Sequence, residues 1–287
     1  MLYGILALIL AACAPPAPSP EAHAAEVRSW HEGRIARLKS ETGWLTLVGL
    51  YWLHDGSNSV GTAPDNDLVM PAGKAPAHVG VLVLAEGKVR FEVAPDAKVT
   101  RGGQPFTSGP LRSDAEGEPD LLEIGPLNFM IIRRGERLGV RLRDRQSEVR
   151  RSFQGIETWP VNDAWRLDGR FEPYDPPRQI GIPTVLGTVE NMTCPGVVVF
   201  QAGGSEFRLE PVLEEGTDDL FFIFADQTNG KGSYPAGRFL YTSPPEQGHV
   251  VIDFNHSYNP PCAFTPYATC PLPPRQNRLP LRIEAGE

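Results

Sequence analysis

The sequence lacks the short motifs that mark the commonest nucleotide-binding and nucleophilic enzymes. It contains no Gly-x-Ser-x-Gly elbow, no P-loop and no Gly-x-Gly-x-x-Gly fingerprint. Positive charge is also scarce, with 27 Lys and Arg against 35 Asp and Glu and a formal net charge of −8. A general nucleic-acid-binding protein needs the opposite balance. We therefore expect no nucleic-acid partner and no cofactor, and the sequence does not name its ligand or reaction.

The chain is rich in the residues that make turns. Gly and Pro each occur 29 times among 287 residues, while hydrophobic residues make up 41% and charged residues 22%. This composition is ordinary for a globular protein apart from the excess of Gly and Pro. Frequent turns favour β structure over helix bundles. The length allows one large β domain or two small ones.

The N-terminal residues have the pattern of an export signal. Residues 2–12 are almost purely apolar, but they are too few to span a bilayer as a helix, which takes about 20 residues. Cys13 directly after Leu-Ala-Ala resembles the bacterial lipoprotein box, which implies lipidation of that cysteine. We predict a signal peptide over residues 1–12, a Pro-rich tether over 13–20, and an exported protein anchored to a membrane. Because no Lys or Arg precedes the apolar run, soluble export after cleavage and a merely apolar N-terminus stay open as alternatives.

The rest of the chain divides into a helix and two sets of strands. Apolar residues at three- to four-residue spacing predict a surface helix over residues 21–41, packed on the sheet that follows. From Trp44 onward, short strands alternate with turns, which is typical of a β-sandwich. We predict a mainly β fold, with the helix and sandwich in residues 21–150 and a second antiparallel β region in residues 151–287.

One segment of the predicted sandwich resembles a known recognition domain. Residues 56–69 contain glycine turns and Asp65-Asn66-Asp67, and His78 follows. This pattern is similar to the forkhead-associated domain, which binds phosphopeptides. Thr62, however, stands where that family has its phosphate-binding Arg, so the charge-assisted donor is missing. The resemblance implies the sandwich topology and not the phosphopeptide activity.

The sequence has four cysteines, and export to an oxidising compartment would allow them to form disulfides. Cys262 and Cys270 enclose a short loop flanked by Pro, and we predict a disulfide that stabilises the fold by about 2–3 kcal/mol. Cys194 is then a buried thiol. His256 and Asp253 lie close to these cysteines, but the spacing fits no standard zinc pattern, so no metal is predicted.

Polar and aromatic residues crowd into residues 221–274, which we call the C-terminal polar block. Strand alternation predicts that Asp253 and Asn255 share one face, with Arg238 as the partner of the buried Asp253. Asp226 and Tyr234 would complete the cluster. We therefore expect a pocket for a small polar ligand, peptide or glycan whose candidate binding residues are Tyr234, Arg238, Asp253, Asn255 and His256.

Two other interpretations of the block remain open. Asp226 and Asp253 are candidate catalytic carboxylates of a hydrolase, because paired acids divide roles when their pKa values are pushed apart. Alternatively, the block only joins strands in a structural or interaction module. The oligomeric state is not predicted.

Several longer motifs resemble the DUF1684 family of uncharacterised bacterial and archaeal proteins. The most specific are YPAGRFL at 234–240, DFN at 253–255, NPPC at 259–262, CPLPP at 270–274 and NRL at 277–279. Further matches are GWLTLVGLYWL at 43–53, RG at 134–135, VRLRD at 140–144, FQGI at 153–156 and WP at 159–160. The resemblance spans roughly residues 26–287 and implies a fold unit without an assigned reaction.

Overall fold

The computed structural model describes residues 18–287, and it confirms the predicted mainly β fold with one N-terminal helix. The predicted signal peptide and Cys13 lie outside the described residues. The strands of the first half are β1 (Leu47–Trp52), β2 (Gly56–Gly61), β3 (Leu68–Val69), β4 (Gly80–Ala85), β5 (Lys88–Val93), β6 (Val99–Arg101), β7 (Gln104–Phe106), β8 (Ser108–Leu111), β9 (Leu122–Ile124), β10 (Leu127–Arg134) and β11 (Arg137–Asp144). Those of the second half are β12 (Arg166–Pro183), β13 (Val189–Ala202), β14 (Ser205–Leu209), β15 (Leu220–Phe224), β16 (Arg238–Thr242) and β17 (His249–Asp253). The helices are α1 (Pro20–Leu38) and α2 (Glu148–Ser152).

Two sheets enclose the core of the first half. One has the strand order β1-β11-β10-β9-β6-β7 and the other β3-β2-β4-β5-β8. Their inward side chains form a common hydrophobic cluster that includes Leu82 and Phe91 from one sheet and Phe129 and Ile131 from the other. Alternate residues of each strand therefore supply the core, as the period-two pattern predicts. The finer resemblance to the forkhead-associated topology stays a prediction.

The second half is built on a long hairpin. Strands β12 and β13 pair with each other, and the four-stranded sheet runs β14-β13-β12-β17. A separate two-stranded sheet, β15-β16, lies over it. Phenylalanines from both sheets and from the turn after β17 share one core: Phe200, Phe222, Phe224 and Phe254 are all essentially inaccessible to solvent. The Phe224 and Phe254 ring centroids lie 5.4 Å apart.

Helix α1 contacts the second half of the chain. The Ser19 side chain caps its first turn by accepting a hydrogen bond from the Ala22 N–H at 3.3 Å. The helix ends at Leu38, three residues earlier than predicted. Its main contact is the 3-10 turn Phe254–His256, where the Trp30 and His256 ring centroids lie 5.1 Å apart. The prediction that the helix packs mainly on the sheet that follows it is therefore wrong. Within residues 18–287, neither helix combines the length and the apolar character needed to cross a bilayer.

Strand β11 presents arginines on the face opposite the sandwich core. Leu138, Val140 and Leu142 are buried in that core. The intervening Arg141 and Arg143 point the other way, because side chains alternate along a strand. That face meets residues of the second half, and Arg141 is only 5% exposed there. The strand therefore places a buried cation at the seam between the two β regions.

Candidate functional site

Arg238, a predicted ligand-binding residue, is enclosed in a buried ion pair. Its side chain is fully buried, and Nη2 donates to Asp226 Oδ2 at 3.1 Å. Further donations reach the backbone oxygens of Ile283 and Ala285 and the hydroxyl of Ser257. Burial lowers the pKa of Arg238, and the Asp226 carboxylate opposes that shift. The guanidinium thus joins β16 to the last residues of the chain.

Asp226, a predicted catalytic carboxylate, faces the same closed interior. Its side chain has no solvent exposure, and it accepts hydrogen bonds from the Ile283 N–H at 2.7 Å and the Thr228 hydroxyl at 2.6 Å. Asp226 and Asp253 share no hydrogen-bond partner in residues 18–287. The structure therefore places the two proposed catalytic acids in separate hydrogen-bond networks. The Arg238 and Asp226 side chains form a structural cluster that is sealed from solvent.

The partner of Asp253 is His23, so the predicted Arg238–Asp253 pair is wrong. Asp253 Oδ2 lies 2.6 Å from His23 Nε2 and 3.5 Å from His256 Nδ1. On the other side of the ring, His23 Nδ1 lies 2.5 Å from Asp163 Oδ1. These contacts join α1 to the end of β17 and to the turn before β12. His23 is 140 residues from Asp163 and 230 residues from Asp253 in the sequence, and strand alternation cannot predict contacts over such separations.

The charges of this cluster support one another. Burial raises the pKa of Asp253, but hydrogen bonds from His256, Asn255 and His23 outweigh it and lower the pKa to about 2. Burial likewise opposes a charged His23, and hydrogen bonds to Asp163 and Asp253 outweigh that penalty and raise its pKa. Because ionised carboxylates only accept, both ring nitrogens of His23 carry a hydrogen in this arrangement.

The other predicted binding residues are divided among separate surroundings. Strand β17 ends at Asp253, whose Oδ1 accepts from the Asn255 N–H at 3.0 Å and so turns the chain into the 3-10 turn. Asn255 therefore does not continue the strand face as predicted; its amide bonds the backbone of Asn162. Tyr234 is half-buried near the turn after Asp226, whereas His256 lines a large cleft. The predicted residues do not line one pocket.

Cys262 and Cys270 are neighbours, but both are free thiols in this structure. The backbone N–H of Cys262 donates to Cys270 Sγ at 3.2 Å. A hydrogen bond with Cys270 lowers the pKa of the Cys262 thiol to about 7 and, together with burial, raises that of Cys270. The structure therefore does not show the predicted disulfide, and the two cysteines are adjacent, hydrogen-bonded thiols in it. Cys194 is buried, as predicted, and burial raises its pKa to about 11.

A cleft of about 1000 Å³ opens at the seam between the two β regions. Helix α1 forms one side, the end of β10 and Arg141 of β11 another, and β15, β16 and the segment after β17 the third. Aromatic side chains make much of its wall: Trp30, Trp44, Phe221, Phe239, Tyr241 and Tyr258. The rings of Phe221 and Tyr241 are stacked with their centroids 4.5 Å apart, and the rings of Tyr241 and Tyr258 are stacked with their centroids 6.3 Å apart. Flat aromatic surface of this kind suits an apolar or ring-bearing ligand.

Charged groups of both signs line the cleft, and two of its arginines are paired with carboxylates. Arg134 donates to Asp114 at 2.8 Å and to the Thr269 hydroxyl at 3.1 Å. Arg34 pairs with Glu287 and lies 4.4 Å from the Tyr258 ring centroid. The remaining charged lining residues are Arg37, Arg133, Glu26, Glu190 and Glu214.

Arg141 differs from these neighbours because its guanidinium is buried and has no hydrogen-bond acceptor within residues 18–287. Its Nε and Nη2 are buried and make no hydrogen bond within the described part of the chain. Desolvation, followed by the nearby charges of Arg134 and Arg143, lowers its pKa to about 10. The Trp44 ring centroid lies 5.1 Å from the guanidinium carbon. A buried cation with free donors is costly unless an acceptor reaches it.

Sequence reasoning identified neither Arg141 nor His23 as a site residue. The signal for Arg141 was present in GVRLR at 139–143, where arginines alternate with core residues in a strand. His23 precedes Val27 and Trp30 on the helix, and no local pattern distinguishes it from a surface histidine. Its role depends on contacts with Asp163 and Asp253, which only the tertiary fold provides.

The protein is mainly β, with a cleft flanked by helix α1. Comparison with known families finds a match in the part of the chain that contains the C-terminal motifs. Residues 151–287 match the sequence model of a family described as "Protein of unknown function (DUF1684)", which supports the family resemblance. The motifs quoted from the first half, such as GWLTLVGLYWL at 43–53, lie outside the matched residues.

One solved structure similar to this chain is the solution NMR structure of an uncharacterized protein from Haloarcula marismortui. The identity is 25%, the match covers 48% of this chain and 78% of that chain, and the TM-score is 0.41. No curated protein matches the sequence.

Proposed function

We propose that this chain binds a small ligand that carries an anionic group on an aromatic or apolar body, in the cleft between the two β regions. The observation that carries the proposal is Arg141, a buried guanidinium on the cleft wall whose Nε and Nη2 have no partner in residues 18–287. A carboxylate, sulfate or phosphate supplies the acceptor oxygens that such a fork binds. The aromatic walls suit the remainder of the molecule.

The proposal keeps the predicted class of function, a ligand-binding protein, and moves the site. The predicted pocket around Arg238 is closed by Asp226 and by the backbone oxygens of residues 283 and 285. A hydrolase that uses Asp226 and Asp253 together has no geometric support, because Asp226 is fully buried in its ion pair. We therefore assign a structural role to the Arg238 cluster and a ligand-binding role to the cleft at Arg141.

Variants of Arg141 separate a binding role from a structural one. Arg141→Met removes an unpaired buried charge, so we expect the thermal midpoint to stay the same or rise. Binding of an aromatic carboxylate probe, 1-naphthoate, to the wild-type protein is measured by calorimetry, alongside its neutral amide. Hydrogen bonds to a charged group contribute about 1.5–3 kcal/mol, so Arg141→Met should weaken naphthoate binding about 10- to 150-fold.

Arg143→Met is the matched control, because Arg143 lies two residues away on the same face of β11 and does not line the cleft. It should leave naphthoate affinity unchanged. Equal binding of naphthoate and its amide, or equal losses in the two arginine variants, contradicts an anion site at Arg141. Destabilisation by Arg141→Met without any change in binding contradicts it as well.

We also propose that the protein is exported and anchored by a lipid on Cys13. The support is the apolar run over residues 2–12, the Leu-Ala-Ala-Cys sequence and the Pro-rich segment that follows. An anchor of this kind would place the cleft outside the cytoplasm. The ligand would then be a molecule of the envelope or the surroundings of the cell.

A further inference from the structure

We infer that His23, Glu26 and Asp253, with His256 beside them, form a binding site for a divalent transition metal ion such as Zn²⁺. One ligand atom of each of the first three residues lies within 4.8 Å of the others. Imidazole nitrogens and carboxylate oxygens are the usual non-sulfur ligands of zinc. Glu26 and His256 also line the cleft that contains Arg141, but the metal site is formed by other residues and does not depend on anion binding at Arg141.

The spacing of the donors along the chain favours a shared centre. His23 and Glu26 are three residues apart on α1, so they lie on the same face of the helix. Asp253 and His256 are the residues at the two ends of the turn after β17, on which that helix face packs. His256 Nδ1 lies 3.5 Å from Asp253 Oδ2, and its Nε2 lies 3.2 Å from Glu26 Oε1. Two elements from opposite ends of the chain thus bring two donors each.

Partners outside the cluster hold two of these donors in the orientation that a metal requires. Asp163 contacts His23 Nδ1 at 2.5 Å and leaves Nε2 directed at Asp253. The Asn255 amide donates to Asp253 Oδ1 at 2.7 Å and leaves Oδ2 directed at His23. Metal-binding histidines commonly have such a carboxylate on the second ring nitrogen, and ligating carboxylates are commonly hydrogen-bonded in the same way.

The His23 Nε2–H donates to Asp253 Oδ2 at 2.6 Å, and an ion bound by both side chains would take the place of that hydrogen. Tetrahedral zinc bonds of about 2.0–2.2 Å place ligand atoms about 3.3–3.6 Å apart, so the two side chains must separate by somewhat less than about 1 Å to admit the ion. The Nε2 proton is released to solvent, and His23 becomes a neutral ligand. The Glu26 side chain is 60% exposed, which gives the ion a path from solvent.

The test is a titration of the full chain with Zn²⁺ after treatment with a chelator, followed by calorimetry, and a parallel titration with Co²⁺ followed by visible absorption. We expect one equivalent of either ion to bind and Co²⁺ to develop absorption bands of a low-coordinate site. Glu26→Gln and His23→Ala should each weaken binding at least tenfold. Asp163→Asn, which removes the negative charge of the carboxylate that orients His23, should weaken it about 10- to 100-fold.

His249→Gln is the matched control. His249 forms a surface pair with Asp168 at 3.0 Å, the same residue types as the cluster, with both side chains more than half exposed. The His249→Gln protein should bind Zn²⁺ with the affinity of the wild type. Because Glu26 is exposed, Glu26→Gln remains informative if His23→Ala fails to fold. Absence of saturable Zn²⁺ binding to the wild type overturns the inference, and so does an unchanged affinity in folded Glu26→Gln and Asp163→Asn.

Discussion

Replacement of Asp226 by alanine should strongly destabilise the protein, because it leaves the buried Arg238 without its counter-ion. Both side chains are fully buried. The change also removes the acceptor for the Ile283 N–H and the Thr228 hydroxyl. Loss of one partner of a buried ion pair costs about 3–5 kcal/mol. For a chain of this size each kcal/mol lowers the thermal midpoint by about 2–4 °C, so we expect a decrease of about 6–20 °C.

The assay is urea unfolding followed by circular dichroism and tryptophan fluorescence, with the free energy of unfolding compared at constant slope. Glu172→Ala is the control, because Glu172 bonds Arg170 and Arg208 at the surface, where ion pairs contribute little. It should leave the unfolding midpoint unchanged. An Asp226→Ala protein that unfolds within about 1 kcal/mol of the wild type refutes the assignment of Asp226 and Arg238 to a structural cluster.

Two further predictions concern the cysteines. The Cys262 thiol, with a pKa of about 7, should react with iodoacetamide faster than Cys194, whose pKa is about 11, and its rate should rise as the pH increases through 7 because the thiolate is the nucleophile. Mass spectrometry of the labelled peptides checks this, and a Cys262 rate that rises only above pH 9 contradicts the thiol pair. Cys13→Ala should transfer the protein from the membrane fraction to the soluble fraction; equal membrane association of both forms contradicts the lipid anchor.

The sequence was sufficient to predict the fold class because the signals for it are local. Alternating apolar residues and frequent Gly and Pro turns fix strands such as β10 and β11, and their inward residues Phe129 and Val140 form the core. The end of α1 was misjudged by three residues. The helix ends at Leu38 with Lys39 as its C-cap, and the spacing of apolar residues does not predict the last helical residue.

The candidate site was predicted less well, because its partners are set by tertiary contacts. Arg238 had two acids within reach in the sequence, and the choice between Asp226 and Asp253 depends on the last residues folding back, where the Ile283 N–H also bonds Asp226. The Asp253–His23 pair joins residues 230 positions apart. No spacing rule links such residues, since strand and helix periodicities extend only over single elements.

A crystal structure of the protein with 1-naphthoate shows directly whether Arg141 binds an anion in the cleft. We expect the carboxylate within hydrogen-bonding distance of the Arg141 guanidinium and the naphthyl ring against the aromatic wall that includes Trp44 and Tyr258. A cleft that stays empty at saturating naphthoate, or a carboxylate bound elsewhere with Arg141 still unpaired, contradicts anion binding at Arg141.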